Sequence, residues 1–147
     1  VSRFFGRFQH TLDVKGRVVL PARFRKDFDT LGYLTQHTEG CVALWTPEEF
    51  DKKLSEMEVR QDRGAADRNL ARIWAASSTE VEIDRQGRVA VPQYLREFGR
   101  LGTSVYVMGA MERVELWNPQ VWDEKIKPSE EALINPPDPV PAAATAG

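Results

Sequence analysis

The sequence predicts an α+β fold, mainly β with short helices, built by tandem duplication of one motif. The stretch His10-Thr-Leu-Asp-Val-Lys-Gly-Arg-Val-Val-Leu-Pro21 returns 71 positions later as Val81-Glu-Ile-Asp-Arg-Gln-Gly-Arg-Val-Ala-Val-Pro92, so both copies read apolar-Asp-x-x-Gly-Arg-Val-x-apolar-Pro. The register persists beyond the proline. Phe24-Arg25 matches Leu95-Arg96, Leu44-Trp45-Thr46-Pro47 matches Leu116-Trp117-Asn118-Pro119 at an offset of 72, and Phe50 and Leu54 match Trp122 and Ile126. Short alternating, β-branched runs flank each copy and supply the strands. A repeat at fixed spacing decides the architecture before any single element does.

Each copy reads locally as a tight hairpin. A three-residue loop ending in Gly suits a type I turn followed by a left-handed position, where Gly16 and Gly87 carry no Cβ penalty. Asp13 and Asp84 can accept hydrogen bonds from backbone amides two residues on. Arg17 and Arg88 follow the glycines and fall across the base of the turn, within reach of the Asp. One reading makes these surface ion pairs that only brace a turn, which contribute little in solvent. Two copies at matched positions favour a shared role, although duplication alone also produces them.

Taken in order, Phe4-Phe5-Gly6-Arg7-Phe8 leads into the first hairpin as a strand or an apolar arm. Pro21 suits the first turn of a helix over 22–31, with Phe24, Phe28 and Leu31 on one face and Gly32 as its stop. Tyr33–Thr35 and Val42–Trp45 read as strands joined through Thr38-Glu39-Gly40. Thr46-Pro47-Glu48-Glu49 starts a helix with an N-cap, a first-position proline and a capping-box acid, and Phe50, Leu54 and Met57 form its apolar face. A charged connector over 60–68 precedes a helix over 66–77, whose stripe of Leu70, Ile73, Trp74 and Ser77 is either core or a subunit contact. The second copy repeats the programme: a hairpin at 81–91, a short helix from Pro92 to Phe98, strands at 105–108 and 114–117, and a helix capped by Asn118 that runs through Trp122 and Ile126. The expected organisation is a first half at 3–58, a linking helix at 59–79, a second half at 80–127, and a disordered Pro/Ala tail or extended arm at 128–147.

Apolar residues at 41% suffice for a packed core. No run approaches the roughly 18 apolar residues of a membrane helix, and the chain opens on no signal peptide. Val1 reads as a non-methionine start or a processed end. Cys41 is the single cysteine, which excludes an internal disulfide, and its apolar neighbours predict a buried thiol. A cytoplasmic protein follows. The net charge is only −2, but residues 1–26 carry seven basic side chains against Asp13 alone, while 27–58 carry eight acidic ones against Lys52 and Lys53. Such asymmetry around the first hairpin points to nucleic-acid contact.

Catalytic motifs are missing: there is no nucleophile elbow, phosphate-binding glycine loop, paired cysteine or zincin helix, and neither His10 nor His37 has metal-ligand companions. His10 reads as structural or as a DNA contact, and His37 as solvated. No cofactor is expected. The enzymatic alternative is an acid dyad of Asp13 and Asp84 sharing a proton, which the adjacent Arg17 and Arg88 oppose by keeping both carboxylates ionised. The binding reading has Arg17, with Lys15 beside it and Arg7, Arg23 and Arg25 nearby in sequence, present guanidinium groups to phosphates or guanine edges, while Asp13 holds Arg17 in position. In the second copy Arg85 and Arg88 are opposed by Glu80, Glu82 and Asp84, so contacts there are weaker or serve intersubunit pairing.

The run from Phe5-Gly6-Arg7 through the first motif to Arg25, the second motif from Ile83 to Pro92, and both Trp-x-Pro segments resemble the MraZ family over residues 3 to about 127. The resemblance implies a tandem SpoVT-AbrB swapped-hairpin β-barrel, in which the halves interlock like the two chains of an AbrB dimer. It implies a bacterial transcription factor, cytoplasmic or nucleoid-associated, that forms a ring-shaped homo-oligomer. Its partner would be double-stranded DNA carrying short direct repeats, upstream of the division and cell-wall gene cluster that such proteins head. The family's Asp-x-x-x-Arg motif falls on Asp13–Arg17 and Asp84–Arg88. The expected DNA-binding residues are Arg17, Lys15, Arg7, His10, Arg88, Arg85 and Arg23, supported by Asp13, Gly16, Asp84 and Gly87. A ring also reconciles DNA binding with a modest charge, because several weak sites on one DNA gain by effective concentration. A non-DNA-binding oligomeric scaffold is the third reading.

Overall fold

Strands β1 (Arg7–Thr11) and β2 (Arg17–Val19) flank the first Asp-x-x-Gly-Arg turn, followed by α1 (Ala22–Arg25), β3 (Leu31–Gln36), β4 (Val42–Trp45) and α2 (Pro47–Arg60). Helix α3 (Ala65–Ser77) leads to β5 (Thr79–Glu82) and β6 (Arg88–Ala90) around the second turn. Then come α4 (Gln93–Phe98), β7 (Ser104–Gly109), β8 (Val114–Trp117), α5 (Pro119–Lys125) and α6 (Glu131–Ile134). The structure is a computed structural model that describes residues 3–139, so the readings of Val1 and of tail residues 140–147 lie outside it.

Neither pair of turn-flanking strands closes on itself. The bond from the Asp13 amide to the Arg17 carbonyl, 2.9 Å, closes the first turn, and its counterpart from Asp84 to Arg88 closes the second at 3.2 Å. Beyond those bonds and one Ile83–Val89 bridge beside the second turn, β1 pairs with β7, β5 pairs with β3, and β2 pairs with β6, all antiparallel. The larger sheet runs β1-β7-β8-β4-β3-β5, an order that reads the same backwards when each strand is replaced by its repeat counterpart. The two-stranded β2–β6 ribbon joins the two edges of that sheet through the turns. The simple hairpin expected from local pattern is thus corrected to an exchanged one, as the family resemblance implied. The physical reason is that alternation defines which face of a strand is buried and says nothing about which strand lies alongside.

The exchange gives the two halves one core. Val18, Leu20, Phe24, Phe28, Leu34 and Leu44 pack in the same cluster as Val89, Val91, Leu95, Val105, Val107 and Leu116, all essentially without solvent exposure. Phe4 stacks on Phe28 and meets Phe24 edge-on, so the aromatic start of the chain is a core element. The fold is α+β with a β core and two helices, α2 and α3, that pack beside it through Met57, Ala71 and Trp74.

Local expectations hold at most boundaries. Thr46 Oγ1 accepts from the Glu49 amide at 3.2 Å, and Asn118 Oδ1 accepts from the Gln120 and Val121 amides at 2.8 and 3.1 Å. The first short helix is the main revision. It ends at Arg25, Asp29 turns the chain at φ 56°, and Leu31 and Gly32 begin β3 instead of ending a helix. Gly32 lies where a Cβ would press on Leu44, so it is a packing residue rather than a stop. Cys41 is fully buried, as expected, and burial pushes its thiol well above the ordinary range. His37, expected to be solvated, is instead packed edge-on against Trp45 with its ring centroid 5.8 Å away. Helix α3 divides its stripe, with Trp74 and Ser77 buried while Leu70 and Ile73 stay exposed. The stretch after Ile126 forms short helical turns over Lys127–Glu130 and Glu131–Ile134, which bury none of their side chains.

Candidate nucleic-acid interface

The two turns have the same geometry. Asp13 Oδ1 accepts hydrogen bonds from the Lys15 and Arg17 amides at 2.9 Å each, and Oδ2 accepts from Arg17 Nε at 2.7 Å. Asp84 does the same for the Gln86 and Arg88 amides, again at 2.9 Å, and for Arg88 Nε at 2.7 Å. The bonds from the Arg17 and Arg88 amides are the chief reason both carboxyls sit below the ordinary carboxylate value, with the guanidinium bonds adding to them against some desolvation. An acid dyad needs one carboxyl raised so that it holds a proton; here both are depressed and each is occupied by its own turn.

Gly16 and Gly87 adopt φ of 75° and 77°, the left-handed conformation that the loop requires. Both are buried although they sit in turns, because a guanidinium from the other half lies on each. A Cβ on Gly16 would fall on Arg96, and one on Gly87 would fall on Arg25. Arg25 Nε donates to the Leu20 carbonyl and Arg96 Nη1 to the Val91 carbonyl, both at 2.9 Å, which pins these side chains in place. The Leu20 amide donates to the Gly87 carbonyl at 2.8 Å and the Val91 amide to the Gly16 carbonyl at 3.0 Å. Each turn is therefore built against the opposite half. Arg25, which the basic run had offered as a phosphate contact, is held by its Nε bond against the second turn. The signal for this pair was present in the repeat, since Phe24-Arg25 and Leu95-Arg96 stand at the same offset as the motif.

The ribbon sets the two arginines on one face. Val18 faces Val89 and both are buried, so the alternate positions Arg17, Val19, Arg88 and Ala90 point outward. Arg17 lies opposite Ala90 and Arg88 opposite Val19, so the two are diagonal neighbours about 7–8 Å apart. Among the described residues only Nε of each guanidinium has a partner, which leaves both terminal nitrogens of each fork able to donate. Each turn tip adds one exposed cation, Lys15 in the first and Arg85 in the second.

The other expected contacts lie elsewhere. Arg7 is exposed on β1, with its guanidinium carbon 5.0 Å from the Tyr106 ring centroid. His10 is half-buried on the opposite face of β1, the face that Phe8 turns towards the core. Arg23 rests over the Phe5 and Phe8 rings at 5.4 and 5.7 Å. The acidic neighbours of the second motif also find their place, since Glu80, Glu82 and Asp84 line one groove together with Arg17 and Arg88. The corresponding positions on β1 are the uncharged Gln9 and Thr11, so the two edges of the sheet differ in charge. Among the described residues, no group of three or more His, Cys, Asp or Glu is placed to hold a metal ion.

Comparison with known proteins gives the same tandem organisation. The family described as "MraZ protein, putative antitoxin-like" matches twice, over residues 4–72 and 75–139. A protein of Acetivibrio thermocellus named "Transcriptional regulator MraZ" is 34% identical over 120 residues, 82% of this chain and 84% of its own length. Proteins of the same name from Caldanaerobacter subterraneus subsp. tengcongensis and Thermoanaerobacter sp. are 32% and 34% identical, covering 85% and 81% of this chain and 87% and 83% of theirs. With both repeats matched in tandem and relatives aligned along most of its length, the chain belongs to the MraZ family.

Proposed function

We propose that this protein is a sequence-specific, DNA-binding transcriptional regulator. The observation that carries the reading is the β2–β6 ribbon, on which two Asp-anchored arginines share one outward face with their terminal nitrogens free. A two-stranded antiparallel ribbon fits the major groove, and a guanidinium fork fits the O6/N7 edge of guanine or a phosphate. The Asp contributes by holding each fork in one orientation, so less conformational entropy is lost when DNA binds. The names of the relatives support regulation as the role.

In the finer reading, the chain assembles as a ring-shaped homo-oligomer on promoter direct repeats of the division and cell-wall gene cluster, its own promoter included. It works in the cytoplasm at the nucleoid. Arg17 and Lys15 of the basic first half lead the contacts and Arg88 and Arg85 contribute less beside Glu80 and Glu82, while Arg7 and Arg23 lie off the ribbon and His10 shares the core-facing side of β1 with Phe8. Residues 3–58 and 80–127 act as the two halves, joined by 59–79 and followed by the 128–147 tail. Among the described residues no helix is long and apolar enough to cross a membrane.

The test is binding to a DNA fragment from upstream of the protein's own gene, titrated with salt, for wild type, Arg17→Ala and Arg88→Ala. Wild type is expected to bind selectively, with affinity falling linearly in log–log salt plots. Arg17→Ala should lose about 1–3 kcal/mol of specific binding, and Arg88→Ala less. Absence of selective binding by assembled wild type refutes the proposal and leaves the oligomeric scaffold.

A further inference from the structure

Helices α2 and α3 and the end of β3 enclose a groove that the mechanism above does not use. Its walls are Met57, Leu70, Ile73, Trp74 and Phe98, and its rim carries Lys53 and Arg60, with no acidic residue in the lining. Leu70 and Ile73 are 48% and 55% exposed, so half of the α3 stripe remains uncovered. Trp74 Nε1 is buried yet has no hydrogen-bond acceptor among the described residues. A buried donor without a partner is costly, and an occupant that supplies an acceptor relieves it.

The same chain carries a segment of complementary character. Residues 128–139 contain Glu130, Glu131 and Asp138 and no basic side chain, and at their centre Leu133 and Ile134 are 84% and 72% exposed on α6. The helical turns of Lys127–Glu130 continue directly from α5, whose Lys125 Nζ donates to the Glu39 carbonyl, and they carry α6 on a stalk that buries no side chain of its own. We infer that this acidic, apolar segment docks into the α2–α3 groove of a second copy of the chain. Leu133 and Ile134 then cover Leu70, Ile73 and Trp74, and the segment's carboxylates meet Lys53 and Arg60. The present partners of those cations are Glu56 at 3.4 Å, in an exposed pair that exchanges at little cost, and Asp67 at 2.9 Å, in a part-buried pair that the docked carboxylate would join. Groove and segment are different surfaces of one molecule, so the contact runs head to tail and propagates from subunit to subunit.

The inference rests on the self-association proposed above, and the experiment separates the two. Sedimentation velocity compares wild type with Leu133→Asp/Ile134→Asp and with Ile73→Glu. The double variant is expected to weaken association by about two orders of magnitude or more, the scale of failing to bury two aliphatic side chains, and Ile73→Glu by about one order or more, the scale of one. A monomeric wild type removes the self-association reading itself, and with it this contact. An assembled wild type whose variants assemble equally well overturns the docking alone. Mixing an Ile73→Cys protein with a Leu133→Cys protein under mild oxidation should give a disulfide between chains, while Cys41 stays out of reach in the core. If a protein carrying both substitutions forms that bond only within single chains, the second-copy assignment is wrong. Binding of the Leu133→Asp/Ile134→Asp variant to DNA with a single repeat should match wild type, since the ribbon is untouched.

Discussion

Replacing Gly16 by alanine perturbs both the first turn and the contact between the halves. The residue sits at φ 75°, where an L side chain costs about 1–2 kcal/mol. Its new methyl would also land on the Arg96 guanidinium, which must leave the Val91 carbonyl that it now reaches at 2.9 Å. Losing a hydrogen bond from a charged donor costs about 1.5–3 kcal/mol. The Arg96 tail is flexible and only partly buried, so the lower part of the combined range applies, on the order of 2.5–4 kcal/mol. Urea denaturation at fixed protein concentration reads this directly, since assembly adds its own mass-action term. The decisive comparison is the double-mutant cycle with Arg96→Ala. Both single variants lose the same bond, so the pair should be less destabilising than the sum by about 1 kcal/mol or more. A loss below about 1 kcal/mol for Gly16→Ala, or additivity within about 0.5 kcal/mol, would refute the account of the turns as built against each other.

Further outcomes follow from the same geometry. His37 is held down to about 4 by burial first and by the Arg113 charge second, against the pull of Glu115 at 3.9 Å. It is therefore neutral near pH 7, and the unfolded chain takes up this proton at higher pH than the folded one. Stability should fall as pH drops from 6.5 towards 4, by up to about 1.4 kcal/mol per unit. His37→Gln should flatten that slope, and a slope unchanged in the variant would assign it to other groups. Asp13→Asn keeps an oxygen for the Lys15 and Arg17 amides but replaces the acceptor of Arg17 Nε by a donor. DNA affinity should drop while the denaturation midpoint moves little; a destabilised variant that binds normally would make the pair a turn brace only. In wild type the depressed Asp13 and Asp84 carboxyls leave the turns intact above the ordinary carboxylate value of 3.8 and weaken them only as pH falls below it, visible as acid loss of DNA binding.

What could be read from residues alone was local. The Asp-x-x-Gly-Arg turns, the Thr46 and Asn118 caps, the buried Cys41 and the strands from Val42 and Val114 all follow from short-range sterics and hydrogen bonding, which act within a few residues and leave a signature in sequence. The diagonal placement of Arg17 and Arg88, the covering of Gly16 by Arg96 and of Gly87 by Arg25, and the burial of His37 were decided elsewhere. Each depends on which strand lies beside which, and alternation of apolar residues is the same for a closed hairpin as for an exchanged one. Only pairing β2 with β6 puts Val18 against Val89, brings the two turns together and gives both halves one core. The sequence by itself determined two identical turns; the tertiary structure made them one surface, because burial of the shared core is satisfied only when the halves exchange strands.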